Sequence, residues 1–363
     1  MTAPWPQARR ILCVRLDSLG DVLMCTPAMR ALREAVPGRT LTLLGSPSGV
    51  AALPFIPELD DAIAWSAPWT KSAAPPLTTA AAPIAALAAR AFDAAVIFTT
   101  YTQSALPAAL LCQLAGIPLR LAHCRENPYD LLTDWIPDLE PATLVRHEVQ
   151  RQLALVQRVG CRSAALGLSF VPHPADIAAA RTRLNAAGVD PDRPWILLHP
   201  GASAASRRYP PAHWAQVLRL LAHELQLPLV LTGSAAEGEL VDGIQFASAV
   251  PAVSLAGRLS LGELGAALRL ATVAVTNNTG PAHMAAAVGT PIVDLYALTN
   301  PQHTPWNVRS RVLFHDVPCR FCYKSTCPEG HHACLAGVAP RRVVDAVRDL
   351  LGATRAAPAT VTA

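Results

Sequence analysis

The stretch Thr272–Tyr296, TVAVTNNTGPAHMAAAVGTPIVDLY, sets two apolar, β-branched runs on either side of an alanine-rich segment. Thr272–Thr276 reads as a buried strand and Pro291–Tyr296 as a second. Between them Gly280-Pro281 opens a short helix and Gly289 ends it, the positions these residues favour at helix termini. Strand, helix and strand in that order form a βαβ unit, which requires a parallel sheet.

The same alternation runs outward in both directions. Toward the N-terminus of this half lie strands at Trp195–Leu198, Pro228–Leu231 and Val253–Leu255, with helices at Pro211–Leu225, after Gly233-Ser234, and at Leu261–Leu270. Pro291–Tyr296 is expected to be the last strand; a Cys-rich loop, a helix at about Arg341–Leu351 and a frayed Ala/Pro/Thr-rich tail follow. The first half repeats the pattern, with strands at Ile11–Leu16, Thr40–Leu44, Ala62–Trp65 and Ala94–Phe98. Its helices are expected from the Gly20-Asp21 turn to about Ala35, in the Ala-rich stretch before Ala94, at Ser104–Ala115 and at Val145–Val159. Between Cys161 and Pro194, Pro172, Pro174, Pro191 and Pro194 surround one helix, Ala175–Ala187. The expected division is therefore a Rossmann-like domain over 1–165, a linker over 166–194, a second Rossmann-like domain over 195–339 with the loop 319–334, and a terminal helix and tail over 340–363. The chain's 363 residues agree with two domains. Two such halves imply a cleft, with ligands outside the carboxyl ends of the strands.

Composition narrows the function. Hydrophobic residues are 52% and charged residues 15%, too apolar for intrinsic disorder. The net charge is +4 with no dense basic run, which argues against a nucleic-acid face. Of 30 Lys+Arg only Lys71 and Lys324 are lysine, so contacts to phosphate or carboxylate fall to guanidinium groups. No uninterrupted apolar run reaches 18 residues; Ala80–Phe98 is broken by Pro83, Arg90 and Asp93. The apolar run after Arg9-Arg10 stops at Arg15 and Asp17, too short for a signal peptide, so a cytosolic protein is expected.

Three loops carry polar chemistry. Ser18-Leu19-Gly20-Asp21 follows the first strand; Gly20 permits close backbone approach and Asp21 falls in a first helical turn, where it can act as a base or simply cap. It is no dinucleotide fingerprint, since G-x-G-x-x-G is absent, and a dehydrogenase is disfavoured. His199-Pro200-Gly201-Ala202-Ser203, continuing to Ser206-Arg207-Arg208, offers hydroxyls and an arginine pair suited to a diphosphate; a solvated surface loop is the plainer reading. Asn278-Thr279-Gly280-Pro281-Ala282-His283 places a helix N-terminus at a strand end, a ready anion site. His283, one turn in, reads as structural or catalytic. Glu237 follows the Leu231-Thr232-Gly233-Ser234 strand end, where a carboxylate can accept ribose hydroxyls or cap a helix.

Nine cysteines are present. Cys13, Cys25, Cys112, Cys124 and Cys161 read as small core residues. Cys319, Cys322, Cys327 and Cys334, with His331-His332 among them, suffice for a structural metal, although their spacing does not match a two-knuckle zinc ribbon; reduced packing thiols or a local disulfide are the alternatives. An odd number in a cytosolic chain argues against a disulfide framework.

Jointly, these segments resemble glycosyltransferase family 9, the ADP-heptose:lipopolysaccharide heptosyltransferases. The likeness rests on Ser18-Leu19-Gly20-Asp21-Val22 with Thr26-Pro27; on His199-Pro200-Gly201-Ala202-Ser203; on Leu255-Ala256-Gly257 with Leu261; and on Thr279-Gly280-Pro281-Ala282-His283 with Gly289-Thr290-Pro291. It spans Ile11 to Leu351. It implies an α/β, GT-B fold of two Rossmann-like domains, the first binding acceptor and the second the nucleotide sugar. It implies an inverting transfer of heptose from ADP-heptose to a lipid-linked inner-core acceptor at the inner membrane surface, without a catalytic cofactor, by a cytoplasmic enzyme peripheral to that membrane. Asp21 then corresponds to the general base, and Arg207 stands where the family places a lysine near the donor phosphates. Ser203, Arg208, Glu237, Asn278, Thr279, Gly280 and His283 match the donor site. Ser18, Gly20, Arg120 and Arg146 are assigned to the acceptor, with Arg125 and Arg151 as further carboxylate or phosphate contacts; all four arginines stand at or beyond strand ends in the first half, and scattered surface arginines are the equal alternative. One departure stands out: the family usually has Asp-[Thr/Ser]-Gly-Pro, and here Asn278 lacks the charge. A related enzyme using another nucleotide sugar for capsule or glycoprotein, or a non-catalytic nucleotide-sugar-binding protein, are the competing readings.

Overall fold

A computed structural model describes residues 4–70 and 81–355. They form two compact units, one ending at Phe170 and the other beginning at Val171.

In the first unit the order is β1 (Arg10–Arg15), α1 (Leu19–Ala35), β2 (Thr40–Gly45), α2 (Pro47–Val50), β3 (Asp61–Ala64), α3 (Ala81–Ala89), β4 (Ala94–Ile97), α4 (Leu106–Leu114), β5 (Leu119–Cys124), β6 (Asp134–Pro137) and α5 (Glu148–Gln157). The strands make one parallel sheet in the order β3-β2-β1-β4-β5-β6. β1 and β4, flanked by strands on both sides, are almost wholly buried, which explains the apolar runs at 11–14 and 94–97.

The second unit runs α6 (Pro174–Ala186), β7 (Ile196–His199), α7 (Pro211–Leu225), β8 (Leu229–Leu231), α8 (Gly238–Ser248), β9 (Val253–Ser254), α9 (Leu261–Leu270), β10 (Val273–Asn277), α10 (Gly280–Val288), β11 (Ile292–Leu295), β12 (Ser310–Leu313), α11 (Ala333–Ala336) and α12 (Pro340–Arg355). Its sheet, β12-β11-β10-β7-β8-β9, is parallel and repeats the connectivity of the first. Ile196, Leu198, Val273, Val275, Val293 and Leu295 form a core with α7, α8 and α12. The alternate residues face the other way.

The segment expected as a linker is shared. Arg30 donates to the Ala165 and Gly167 carbonyls at 2.7 and 2.9 Å and the Ser169 amide donates to Thr26 Oγ1 at 2.9 Å, fastening this end to the first unit. α6 packs on α9 through the Arg183–Glu263 pair at 2.8 Å. Three strands escape the sequence reading. β5 and β6 lie beyond Phe98, and β12 follows the strand taken as last. β5 contains Arg120 and His123, and β6 and β12 are edge strands with exposed alternate residues, so none shows an apolar run. α5 starts at Glu148, where His147 Nδ1 accepts the Val149 amide at 3.2 Å, later than expected. α12 continues through Arg355; residues 356–363 of the expected tail lie outside the described residues.

In both sheets the order in which strands are added reverses between two central strands, β1 and β4 in one unit, β7 and β10 in the other. These are the switch points at which open α/β sheets bind ligands.

Candidate active site

In the first unit the switch point is organised by a buried arginine. Arg15, the last residue of β1, is fully buried and reaches three carboxylates: Asp17 at 3.0 Å, Asp21 at 3.2 Å and Glu148 at 2.8 Å. Glu148 Oε1 also accepts the Gln152 amide at 2.7 Å. Asp21 Oδ2 accepts the Ser18 amide at 3.1 Å and the Ser18 hydroxyl at 2.7 Å. The Asp21 carboxylate is thus gripped from both sides at the first turn of α1, yet about a fifth of its side chain stays exposed. Such a group is oriented and accessible, two requirements for accepting a proton. Asp17 Oδ1 accepts Gln103 Nε2 at 2.7 Å. Burial raises the Asp17 pKa and the neighbouring Asp21 charge adds to this, against Arg15 and Gln103. Sequence reasoning picked out Asp21 and Ser18 but gave no role to Arg15, Asp17 or Glu148. Glu148 lies 133 residues from Arg15, and no local spacing connects them.

The acceptor arginines separate. Arg120, expected as an acceptor contact at or beyond a strand end, is the second residue of β5, at its amino end, and its guanidinium donates to the Ile117, Leu131 and Asp130 carbonyls at 2.6–2.8 Å. Arg151, nearly fully buried, binds Asp138 through two nitrogens at 2.8 and 2.9 Å and Glu140 at 2.8 Å. Burial pushes Asp138 up, but the Arg151 hydrogen bond and charge outweigh it and hold the carboxyl below its usual range. Both arginines are consumed by structure. Arg125 stays half exposed while donating to the Tyr101 and Glu140 carbonyls. Arg146 pairs with Glu140 at 2.6 Å and borders a cavity of about 470 Å³ lined also by Arg158, Arg162, His123, Leu139 and Leu144.

In the second unit, loops from β7, β8 and β10 carry the expected donor residues at the carboxyl ends. Asn277, ending β10, ties the switch point together: its Nδ2 donates to the Pro200 carbonyl at 2.7 Å and its Oδ1 accepts the Tyr209 amide at 3.2 Å. The loop between these anchors holds Ser203 and Arg208 exposed and Arg207 half-buried. Arg208 Nε turns back onto the Ala202 carbonyl at 2.8 Å. Arg207 Nε is buried and has no partner. The turn at 205–207 leans on the Cys-rich loop, since the Ser206 amide donates to the Ser325 carbonyl at 3.1 Å and His332 Nε2 lies 2.7 Å from the Ser206 carbonyl.

Glu237 Oε2 accepts the Ser234 amide at 2.8 Å and hydroxyl at 2.9 Å, and its carboxylate lies over Gly201, where an added Cβ would come within 2.1 Å. Only glycine admits that approach. His199 Nε2 is 4.0 Å from the same carboxylate, and its Nδ1 pairs with Thr232 Oγ1 at 3.0 Å. Burial pushes the imidazole down to about 4, against the pull of Glu237, so it is neutral at physiological pH and no ion pair forms. Thr279 caps α10, with Gly280 as its first residue and a left-handed Gly289 (φ 81°) at its end. The positive end of α10 thus lies beside the Arg207 turn's own strand, β7. His283 is buried in α10. Asn278 is also buried; its Nδ2 is turned to the Ala297 carbonyl and Thr299 Oγ1 at 3.4 and 3.5 Å.

All nine cysteines are free thiols. In the Cys-rich loop, Cys319 Sγ lies 3.8 Å from His331 Nε2. Among the described residues no three His, Cys, Asp or Glu side chains are grouped to hold a metal ion.

A family model described as glycosyltransferase family 9 (heptosyltransferase) matches residues 82–333. The chain belongs to glycosyltransferase family 9. Lipopolysaccharide heptosyltransferase 2 of Escherichia coli K12 is 26% identical over 94% of this chain and 98% of its own. The structure of E. coli ADP-heptose lps heptosyltransferase II aligns with a TM-score of 0.73 at 24% identity, over 96% of this chain and 100% of that one. E. coli heptosyltransferase WaaC with ADP-2-deoxy-2-fluoro heptose aligns at 0.63 and 19% identity, over 95% and 99%. These two likenesses establish the fold, which is GT-B. As a family 9 member the protein is a glycosyltransferase, and its two switch points are where a glycosyl donor and acceptor are to be sought.

Proposed function

We propose that this protein is an inverting heptosyltransferase that moves heptose from ADP-heptose to a lipid-linked inner-core sugar of lipopolysaccharide. The observation carrying the reading is the second unit's switch point. A half-buried arginine turn, the positive end of a helix and a carboxylate set over a glycine occupy neighbouring loops there. Those three features suit a diphosphate and a ribose. The ADP-heptose analogue named for the WaaC structure supports the choice of nucleotide.

The chemistry follows from the groups available. The acceptor hydroxyl loses its proton to Asp21 as its oxygen bonds to the anomeric carbon. The bond from that carbon to the diphosphate oxygen breaks on the opposite face, its electron pair leaves with ADP, and the configuration inverts. Arg15 and Ser18 keep the Asp21 carboxylate oriented. Arg207 and the N-terminus of α10 stabilise the charge growing on the diphosphate. In this reading the first unit, with Ser18, Gly20, Arg125 and Arg146, serves the acceptor, and the second, with Ser203, Arg208, Glu237, Thr279 and His283, serves the donor. Among the described residues no helix is long and apolar enough to cross a membrane. In this reading the enzyme meets its lipid acceptor as a cytoplasmic protein at the inner membrane surface.

A thermal-shift series with ADP-heptose, UDP-sugars and GDP-sugars tests the donor. The largest stabilisation is expected from ADP-heptose; preference for a UDP- or GDP-sugar would reassign the enzyme within its fold class.

A further inference from the structure

In the second sheet β10 lies between β11 and β7, so the start of α10 is flanked by the loops that follow those two strands. The Cys-rich segment 319–334 touches both loops. On one side the Tyr323 amide donates to the Leu298 carbonyl at 3.0 Å, and the Tyr323 hydroxyl accepts the Asn300 amide at 3.3 Å. On the other, the Ser325 carbonyl accepts the Ser206 amide at 3.1 Å, and His332 Nε2 lies 2.7 Å from the Ser206 carbonyl. A carbonyl can only accept, so Nε2 carries a proton and donates. Both backbone polar groups of Ser206 are therefore held by this one segment. The contacts fall where the backbone is strained. Leu298, Tyr323 and His332 have φ of 81°, 57° and 50°, a left-handed conformation that residues other than glycine adopt at a cost. His332 is braced from behind: it directly precedes α11, whose Leu335 is buried in the core, and the Cys334 carbonyl accepts the His315 amide at 2.8 Å.

Arg207 follows Ser206 directly. Its Nε is buried without a partner, and among the described residues no hydrogen bond or ion pair holds the guanidinium. The place of that cation is therefore set by the backbone of the turn, and the turn is held by Ser325 and His332. We propose that the Cys-rich segment is a clamp on the donor pocket, with His332 as its positioning residue: the Nε2–H bond to the Ser206 carbonyl fixes the turn that presents Arg207 to the donor diphosphate. The proposal rests on reading this pocket as a diphosphate site. His332 acts through the Ser206 backbone rather than on the substrate. The gain is preorganisation, since an arginine on a loose turn loses freedom when the donor binds, whereas a clamped turn has lost it already.

Two measurements separate the clamp from the reading beneath it. The first uses no nucleotide. Hydrogen exchange at the Ser206 amide, followed in the full chain, should quicken roughly fivefold in His332→Ala. In His332→Gln, whose side-chain amide can donate to the same carbonyl, it should stay within about twofold of wild type. Exchange that is equally slow in His332→Ala would mean that the imidazole does not hold the turn, and the proposal fails. The second is calorimetric titration with ADP. His332→Ala should weaken binding roughly fivefold, the worth of one hydrogen bond, and His332→Gln should recover most of the loss. In an Arg207→Ala background the same change should cost nothing further, because the turn then has no cation to present. A role confined to the fold predicts a different pattern: His332→Ala melts lower than wild type yet binds ADP as tightly, or loses the same factor with and without Arg207. Either result overturns the proposal. Wild-type protein that ignores ADP while the exchange change is seen would remove the diphosphate reading and leave His332 as the residue that holds the Ser206 turn.

Discussion

At the residue scale, the account turns on how a carboxylate is held. Asp21 has one oxygen on a fully buried arginine and the other on the Ser18 amide and hydroxyl. Its orientation is therefore fixed before any substrate arrives. Asp21→Asn keeps the size and most of these contacts but cannot take a proton. Turnover should fall by about 100-fold or more, within the usual span for a lost general base, while ADP affinity measured by calorimetry stays within a factor of two or so. Near-normal turnover would remove Asp21 as the base. The sequence makes Asp21 legible because Ser18 and Asp21 stand three apart at a helix start, a spacing with a local cause. Arg15 and Glu148 carry no such mark. Arg15 sits where an apolar strand residue is expected, and Glu148 is meaningful only through a contact made across the fold.

At the scale of elements, the strands that position the site were readable because both sheet centres are buried on two faces and therefore apolar throughout. β5, β6 and β12 were not, because β6 and β12 are edge strands and β5 places Arg120 and His123 among its buried residues. The same limit hides Arg120's place: without β5 in view, nothing in the sequence shows that this arginine stands at the amino end of a strand. The loops after β7 and β10 were legible through Gly, Pro and hydroxyl residues. Glu237 and Gly201 give a prediction at this scale. Gly201→Ala drives a Cβ into the Glu237 carboxylate and must displace it from Ser234. Donor affinity should drop roughly three- to tenfold, and the same change in a Glu237→Ala background should cost nothing further. Equal losses in both backgrounds would show that Glu237 is not the group affected.

Across the whole molecule, two units repeat one strand order, and each buries a histidine near its sheet's carboxyl end, His123 in β5 and His199 in β7. Burial lowers both to about 4, with Arg151 and Arg146 adding to the effect at His123. The unfolded chain binds protons at these positions from about pH 6.5 downward, whereas the folded chain resists until about 4. Stability is therefore complete above about pH 6.5 and is lost as the pH falls toward 4. Urea melts at pH 7 and pH 5 should show the decline, and His199→Asn, which can still pair with Thr232, should flatten it. An unchanged slope would mean that His199 titrates normally.

The transfer itself is the most direct test. Purified enzyme should be mixed with ADP-heptose and a lipid-linked inner-core acceptor and followed by NMR. One ADP should appear for each new heptoside, and the anomeric configuration should be inverted relative to the donor. A product of retained configuration, or donor that persists unconsumed beside a competent acceptor, would contradict the account.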